Sequence, residues 1–336
     1  MSTPLYIYGV PGPIGGACTK IAHLIRLLKD DFEITIIAPS KVFLKDKRVL
    51  QCIRPLSIAI TTLNRLPDNL TGIALAVCDP NFFSSGALMQ LRRKGLSICW
   101  SNDMMFPFPK EKEAAEEGLI DRVLFVSDFQ RKEFLPIYAS VDNRVTGNYI
   151  DPLDFPYLNR RNTVFTIGRL SRDDPDKYPA NFPVFYEDLG LPNIKFRVMA
   201  WSSDLDKKYK WHHFDSRWTK LRNGKESTKS FLQSLDAFVY PIGHKVKESW
   251  GRAVVEAMLT GCVPVVPSGH QFDKLIRHGD TGFICSKFSE WRDAVHGLHN
   301  DYAMRIRMGK KAREYSLEKL CDEKVHRAIW IEALNL

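Results

Sequence analysis

The feature that most constrains the fold is a repeated alternation of short apolar segments with longer segments of helical periodicity. Apolar runs of strand length start at residues 5, 33, 73, 96, 122 and 144. The segments between them have the periodicity of helices, as in residues 17–30, where Ile21, Leu24 and Leu28 share one face. Apolar strands that alternate with amphipathic helices are typical of parallel sheets covered by helices on both faces.

The alternation is interrupted once, by a segment at 151–162 that contains two prolines and a pair of adjacent arginines, and it resumes at residue 163. A chain of 336 residues is also longer than one hydrophobic core usually serves. We therefore expect an α/β fold of two Rossmann-like domains facing across a cleft. Their predicted bounds are 1–152 and 163–318, with a linker at 153–162 and a C-terminal helix at 319–336 that can cross back to the first domain. Ligand sites are expected at the carboxyl ends of the strands.

The composition, with 44% hydrophobic and 26% charged residues, is that of an ordinary globular protein. The longest apolar runs, such as 73–78, are far shorter than the roughly 20 residues that span a bilayer. The first residues do not resemble a signal peptide. The seven cysteines form no C-x-x-C pair and are interpreted as reduced core thiols. These features predict a soluble cytoplasmic protein without a transmembrane segment, in the host cytoplasm if the chain is viral.

A glycine-rich loop separates the first strand from the first helix and contains Gly9, Gly12, Gly15 and Gly16. Such loops bring backbone N–H groups close to a phosphate. The spacing is neither that of the dinucleotide fingerprint nor that of the P-loop, but it fits the looser G-x-x-G-x-x-G of some short-chain dehydrogenases. That class places an acid after the second strand, where this chain has Ala-Pro-Ser-Lys at 38–41. Its Tyr-x-x-x-Lys pair is matched only by Tyr315 and Lys319. An NAD(P)-dependent oxidoreductase is kept as an alternative.

The most informative segment is 247–266, in which two acids, Glu248 and Glu256, lie eight residues apart around the start of a helix at Gly251. The N–H groups of residues 250–252 have no partner within that helix and carry its partial positive charge. One acid can accept hydrogen bonds from sugar hydroxyls and the other from ribose hydroxyls. Together with the helix start, they predict a site for a sugar nucleotide.

This Glu-x7-Glu pattern, followed by Ala-Met-x-x-Gly-x-Val-Pro-Val, resembles the retaining glycosyltransferases of family 4, which have the GT-B fold. Four further elements agree with that family in order and spacing, at 15–17, 148–152, 167–177 and 278–283. The resemblance covers nearly the whole chain. It implies transfer of a hexose or pentose from a UDP- or GDP-linked sugar with retention of configuration, and it implies no metal or other cofactor. It also implies that the domain at 1–152 lies on the acceptor side and that the domain at 163–318 binds the nucleotide sugar.

The resemblance also implies a set of site residues. Arg169 and Lys177 match the family's phosphate-binding pair, which would stabilise the charge of the departing diphosphate. Glu248 would bind the donor sugar. Asp103 lies in the loop at 99–108 where many members carry a histidine. The residues expected to bind the donor are Gly15, Gly16, Ala17, Ser249, Trp250, Gly251, Arg252 and Glu256. The acids at 173–176 are interpreted as a turn, with a metal-binding Asp-x-Asp motif as the alternative.

The acceptor is less constrained by the sequence. Residues 206–229 contain eight Lys or Arg against three acids, interleaved with Tyr209, Trp211, Phe214 and Trp218. Such a stretch can bind nucleic acid, although a solvated loop near the nucleotide base is the preferred interpretation. The segment 41–48 adds positive charge, and the net charge of +9 favours an anionic partner. The candidate acceptors are a glycan and a hydroxymethylated base in DNA. An anionic membrane surface ranks lower, because no basic amphipathic helix is visible in the first half. A non-catalytic nucleic-acid-binding protein is the second alternative.

Overall fold

The protein divides into two compact units in a computed structural model that describes residues 3–159 and 163–336. The first unit comprises the chain up to Ile150 together with Glu323–Leu336, and the second comprises Asp151–Asp322. The sequence predicted the end of the first domain at residue 152 and the start of the C-terminal helix at residue 319, which are two and four residues from the observed boundaries. Residues 160–162 of the predicted linker lie outside the described residues.

The first unit contains a seven-stranded parallel sheet in the order β3-β2-β1-β4-β5-β6-β7. In this register Leu5 lies between Ile34 and Ile73 of the flanking strands. The elements are β1 (Thr3–Tyr8), α1 (Gly16–Leu28), β2 (Phe32–Ala38), α2 (Lys47–Ile53), β3 (Ala59–Thr62), β4 (Ile73–Val77), α3 (Ala87–Arg93), β5 (Ser97–Ser101), α4 (Glu111–Glu116), β6 (Arg122–Phe125), α5 (Asp128–Phe134) and β7 (Asp142–Val145).

The second unit contains a six-stranded parallel sheet in the order β10-β9-β8-β11-β12-β13. Its elements are β8 (Phe165–Leu170), α6 (Phe182–Glu187), β9 (Ile194–Met199), α7 (Ser203–Lys208), β10 (Trp218–Leu221), α8 (Thr228–Gln233), β11 (Ala237–Val239), α9 (Arg252–Leu259), β12 (Val263–Pro267), β13 (Phe283–Cys285), α10 (Phe288–Asn300) and α11 (Tyr302–Tyr315). The last helix, α12 (Glu323–Ala333), belongs to the first unit. The prediction of two parallel-sheet α/β domains is confirmed.

Helix α12 completes the core of the first unit. Trp330 is fully buried in that core. Arg122 of β6 donates hydrogen bonds to the carbonyl oxygens of Ala333 and Asn335, both at 2.9 Å. Arg327 pairs with Asp31, which lies just after α1, at 2.7 Å. Buried apolar side chains and charge-assisted hydrogen bonds therefore hold the end of the chain against its first 150 residues.

Several elements differ from their predicted bounds for local reasons. The strand expected at 144–150 ends at Val145, because Gly147 adopts a left-handed φ of 66°. In the segment between the apolar runs at 73 and 96, helix α3 starts only at Ala87, after Gly86 with a φ of 80°. The segment 41–48 is a 3₁₀ turn followed by the start of α2, where the Asp46 carboxylate accepts a hydrogen bond from the Arg48 N–H at 2.8 Å.

All seven cysteines are free, and five of them are buried. Across the described ranges 3–159 and 163–336, no helix combines the length and apolar character needed to traverse a bilayer.

Candidate functional site

Charged side chains cluster at the carboxyl ends of β8 and β11 in the second unit. These strands are neighbours in the sheet, and the chain continues from β8 to β9 on one side and from β11 to β12 on the other. The carboxyl ends of strands at such a topological switch point are where open parallel sheets bind ligands. Arg169 lies near the end of β8, Tyr240 follows β11, and the loops beyond these strands carry Lys177 and Glu248.

Lys177 and Glu248 form the central ion pair of this cluster. The Lys177 Nζ lies 2.5 Å from the Glu248 Oε1, and the Tyr240 hydroxyl donates to the same oxygen at 3.1 Å. The two charged side chains are 18% and 11% exposed. Burial alone would raise the pKa of Glu248, but the Lys177 charge and the two hydrogen bonds bring it below its ordinary value. Burial also opposes the charge of Lys177, yet Glu248 raises the Lys177 pKa. Both groups are therefore ionised at neutral pH.

The backbone of Glu248 is held by His270, which precedes a 3₁₀ turn after β12. The Glu248 N–H donates to the His270 Nδ1 at 3.3 Å. Burial lowers the pKa of His270, which keeps the imidazole neutral and its Nδ1 able to accept this bond. The sequence did not single out His270 or Tyr240. His270 reaches Glu248 because β11 and β12 are adjacent in the sheet, whereas Tyr240 lies in the same segment after β11 as Glu248, and no motif marks either residue.

Arg169 has a fully buried side chain, and its role toward a phosphate stays a prediction. Its guanidinium carbon lies 3.9 Å from the centre of the Tyr178 ring and 4.5 Å from that of Tyr240. Its N–H groups donate to the carbonyl oxygen of Pro241 and, at 3.2 Å, to that of Lys177. Arg169 therefore fixes the backbone around Lys177.

The turn that carries Lys177 is a 3₁₀ turn at Pro175–Lys177. The Asp174 carboxylate accepts a hydrogen bond from the Asp176 N–H at 3.0 Å and pairs with Arg172. The ammonium of Lys208 donates to the carbonyl oxygens at both ends of the turn, at 2.6 Å each. These contacts agree with the prediction of a turn at 173–176. The expectation that no metal is needed stays a prediction.

The start of α9 lies just after Glu248 in the chain. Gly251 precedes this helix with a φ of 99°, and a Cβ there would lie 2.6 Å from the Phe272 ring, so only glycine fits. Gly251 at the N-cap position provides no side-chain cap, and the first turn contains no acid. Trp250 is buried and Ser249 is half-buried. An uncapped helix start favours anions.

Glu256 lies inside α9 and is paired with Arg252 one turn earlier, with 3.0 Å between the Arg252 Nε and the Glu256 Oε1. Burial raises the pKa of Glu256, although Arg252 partly offsets this effect. The structure thus places Glu248, Ser249, Trp250, Gly251, Arg252 and Glu256 on one loop and the helix that follows it. Their roles toward a donor stay predictions.

In the first unit, Gly15, Gly16 and Ala17 form the start of α1. Gly15 has a φ of 90°, and α1 begins without a side-chain cap or an acid in its first turn. A Cβ on Gly15 or Gly16 would meet no atom within 4 Å. The positive φ explains why residue 15 is glycine. For Gly16, neither the backbone conformation nor crowding by other atoms of the protein requires a glycine.

Asp103 is paired with Lys20, a lysine of α1 that no sequence motif marks. The Lys20 Nζ lies 2.6 Å from the Asp103 Oδ1 and donates to the Ser101 hydroxyl at 2.8 Å. The Asp103 N–H donates to the Cys78 Sγ at 3.0 Å. The adjacent Asn102 is buried and donates to Glu111 at 3.0 Å. Asp103 is thus fixed at the carboxyl ends of β4 and β5, and its catalytic role stays a prediction.

The interpretation of 206–229 as a solvated loop holds only in part, since this stretch is largely exposed but includes the end of α7 and strand β10. Three of its aromatic residues pack inward, and Trp211 alone of the four is largely exposed, at 56%. Five of its eight cations make ion pairs or hydrogen bonds within the unit. They are Lys207, Lys208, Arg217, Lys220 and Arg222. Most of the cations and aromatic rings proposed for nucleic acid are therefore engaged within the protein.

Comparisons with known proteins find a sequence match over part of the chain. Residues 205–315 match the family described as "Glycosyl transferases group 1". This segment carries group 1 glycosyltransferase sequence. It includes Glu248, α9 and Glu256, whereas Arg169 and Lys177 precede it. A stretch of 68 residues is 35% identical to the GDP-Man:Man(3)GlcNAc(2)-PP-Dol alpha-1,2-mannosyltransferase of Dictyostelium discoideum, and it covers 20% of this chain and 14% of that relative.

Solved structures extend the similarity to the whole fold. HepE of Anabaena, crystallised in complex with UDP-glucose, superposes with a TM-score of 0.77 over 99% of this chain and 100% of its own, at 13% identity. A glycosyltransferase from Rickettsia africae superposes with a TM-score of 0.74 over 99% and 98%, at 12% identity. These likenesses show the GT-B fold. With the group 1 segment, they favour a glycosyltransferase over an oxidoreductase or a non-catalytic nucleic-acid-binding protein.

Proposed function

We propose that the protein is a retaining glycosyltransferase of the family 4 type, which transfers a hexosyl or pentosyl group from a UDP- or GDP-linked sugar to a glycan hydroxyl. The observation that carries this proposal is the Lys177–Glu248 ion pair beside the uncapped start of α9. The pair lies at the carboxyl ends of neighbouring parallel strands, and Glu248 falls within the group 1 segment.

The chemistry assigned to these residues is donor binding and charge stabilisation. The Lys177 ammonium and the start of α9, which carries the positive end of the helix dipole, would face the diphosphate, whose negative charge grows as its bond to the anomeric carbon breaks. The Glu248 carboxylate would accept hydrogen bonds from the sugar hydroxyls, and Glu256 those from the ribose. When a donor binds, the Lys177–Glu248 ion pair would therefore be replaced by two new contacts. Lys177 would pair with the diphosphate, and Glu248 would accept hydrogen bonds from the sugar hydroxyls.

The transfer step replaces one bond at the anomeric carbon by another. The bond from that carbon to the diphosphate oxygen breaks, and a bond from it to the acceptor oxygen forms on the same face. The acceptor proton passes to the departing phosphate oxygen. This step requires no side-chain base. Glu248 is suited to binding rather than to accepting a proton, because its pairing with Lys177 lowers its pKa.

Arg169, Tyr240 and His270 would act as positioning residues. Arg169 holds the Lys177 carbonyl, Tyr240 donates to the Glu248 carboxylate, and His270 accepts from the Glu248 N–H. A glycan is preferred to DNA as the acceptor, because most cations of the basic segment 206–229 make contacts within the second unit and are not available to bind nucleic-acid phosphates. A hydroxymethylated DNA base remains the alternative acceptor to be tested.

The test incubates the whole protein with UDP- and GDP-sugars and with glycan, lipid and hydroxymethylated-DNA acceptors, and detects products by mass spectrometry. NMR of the product gives its anomeric configuration. Glu248→Gln should abolish transfer and donor hydrolysis, whereas Asp204→Asn, which breaks an exposed ion pair on α7 of the same unit, should leave both unchanged. Full activity of Glu248→Gln would refute the assigned site, and an inverted product would refute retention.

A further inference from the structure

The second unit contains a cavity of about 330 Å³ between α6 and the start of α10. None of the residues assigned to the donor lines it. The cavity is lined by three aromatic and three polar side chains, which are Phe185, Phe288, Trp291, Asn181, Asp188 and Ser286. An aromatic wall with a few polar groups is the usual composition of a site for a small organic molecule.

The three rings form one continuous apolar surface. The Phe185 ring centre lies 5.3 Å from that of Phe288 and 5.2 Å from that of Trp291, and the ring planes meet at 76° and 86°. Phe288 is 39% exposed although it is large and apolar. Because the rings pack edge to face against each other, they do not surround a central point as the rings of a quaternary-ammonium cage do. They present an exposed aromatic surface to the apolar side of a ligand.

The polar side chains around this surface can make further hydrogen bonds. Asn181 does not cap α6, and neither its amide nor the Asp188 carboxylate has a hydrogen-bond or ion-pair partner among the described residues. The Ser286 hydroxyl bonds that of Ser268 at 2.8 Å. None of the described residues that line the cavity is cationic, so an anionic ligand would lack a partner. A lipid chain or an apolar helix would leave the amide and the carboxylate buried without partners.

Trp291 provides an independent indication of a ligand. The residue is only 5% exposed, and its indole N–H has no hydrogen-bond partner among the described residues. The N–H of Trp330 is also unpartnered but is completely buried, whereas that of Trp291 keeps some accessible surface. A polar group in so buried a residue usually has a partner. An oxygen atom of a ligand in the cavity, which Trp291 lines, would accept this hydrogen bond.

We propose that this cavity binds a neutral sugar residue of the acceptor glycan, at a site separate from the donor residues. A pyranose has an apolar C–H side, which would pack on the aromatic surface. Its hydroxyls both donate and accept hydrogen bonds, as Trp291, Asn181 and Asp188 require. The inference rests on the proposed function, because only a glycosyltransferase makes the bound glycan an acceptor. A second point of attachment would raise the effective concentration of the acceptor where transfer occurs.

The test measures binding of glycans to the whole protein without donor, by calorimetry or ligand-observed NMR. The probes are maltotriose, mannotriose and diacetylchitobiose as neutral glycans, trigalacturonic acid as an acidic glycan, and choline as a cation. At least one neutral glycan should bind. Phe288→Ala should weaken that binding about tenfold, because it removes one exposed ring. Trp211→Ala is the matched control, since it removes an exposed ring of the same unit that does not line the cavity. It should change binding less than twofold.

Two further measurements separate binding from folding. Trp291→Phe keeps an aromatic ring and deletes the N–H, and it should weaken binding about fivefold. Because Phe288 is exposed, Phe288→Ala should unfold at nearly the same urea concentration as the wild type. If no neutral glycan binds, if only trigalacturonic acid or choline binds, or if Phe288→Ala and Trp211→Ala bind alike, the proposal is overturned.

Donor hydrolysis distinguishes this inference from the proposed function. Phe288→Ala should hydrolyse nucleotide sugars at the wild-type rate, because none of the assigned donor residues lines the cavity. Hydrolysis without Phe288-dependent glycan binding would refute the cavity assignment alone. Phe288-dependent glycan binding without activity on any nucleotide sugar would instead refute the proposed transferase function.

Discussion

The guanidinium of Arg169 lies against the ring of Tyr178, with 3.9 Å from the guanidinium carbon to the ring centre. Tyr240 faces the same guanidinium at 4.5 Å, so two tyrosines hold the cation. One of these tyrosines directly follows Lys177 in the chain, and the other donates a hydrogen bond to Glu248. The buried arginine is thus connected to both members of the ion pair without touching either charged group.

This relationship predicts that Arg169→Lys lowers both stability and turnover. A lysine keeps the charge but not the planar group that reaches two backbone carbonyls and stacks on two rings. We expect a loss of about 2 kcal/mol in the free energy of unfolding, measured in urea. We also expect kcat to fall at least tenfold, with a smaller change in the donor KM. Arg222→Lys, at a half-exposed arginine of the same unit, is the control and should lose less than about 0.5 kcal/mol. Equal effects of the two changes would contradict the positioning role.

The Lys177–Glu248 pair predicts strong coupling between its two members. Lys177→Met leaves a mostly buried carboxylate without its cation, and this should cost about 3–5 kcal/mol. The double variant Lys177→Met/Glu248→Gln leaves no unpaired charge and should recover part of that loss. Urea unfolding of the wild type, both single variants and the double variant gives the coupling energy. Additive losses would show that the two charges do not stabilise each other.

The opposite pKa directions of Glu248 and Glu256 predict opposite dependences of stability on pH. The pKa of Glu248 is lowered from 4.5, so its contribution is complete above pH 4.5 and is lost as the pH falls through the folded-state value. The pKa of Glu256 is raised from 4.5, so its contribution is complete below pH 4.5 and is lost as the pH rises through its folded-state value. Unfolding of Glu248→Gln and Glu256→Gln, each compared with the wild type between pH 3 and pH 7, should give difference curves of opposite slope. Slopes of the same sign would contradict these assignments.

Gly243 predicts that the turn carrying Lys177 is intolerant of even one added methyl group. A Cβ at this position would overlap the carbonyl oxygen of Asp176, and the Gly243 N–H donates to the carbonyl oxygen of Lys177 at 3.3 Å. Gly243→Ala should therefore displace the turn, reduce donor hydrolysis strongly and cost about 1–3 kcal/mol in unfolding free energy. Gly297→Ala is the control, since this glycine lies inside α10 and a Cβ there meets only the flexible end of Met304. It should leave stability unchanged or increased. A turn that tolerated alanine at 243 would show that its close packing is not needed.

The sequence predicted the parts of the protein whose signal is local. Central strands such as β4 are continuous apolar runs, and the helix face of α1 has a clear period. Strands β3 and β10 were missed because each lies at an edge of its sheet, where one neighbour is absent and polar residues are tolerated. Lys177 and Glu248 were found because each belongs to a short motif. Lys20 was missed, and the burial of Arg169 was not foreseen, because their contacts join residues far apart in the chain. Tyr240 and His270 were missed because no motif marks them.

The return of α12 to the first unit determines when that unit can finish folding. During synthesis the seven strands of its sheet emerge first, but the surface that accommodates Trp330 and the carbonyl partners of Arg122 stays open until residues 323–336 leave the ribosome. The second unit is made entirely within that interval. The half of the molecule that is translated first is therefore the last to become complete.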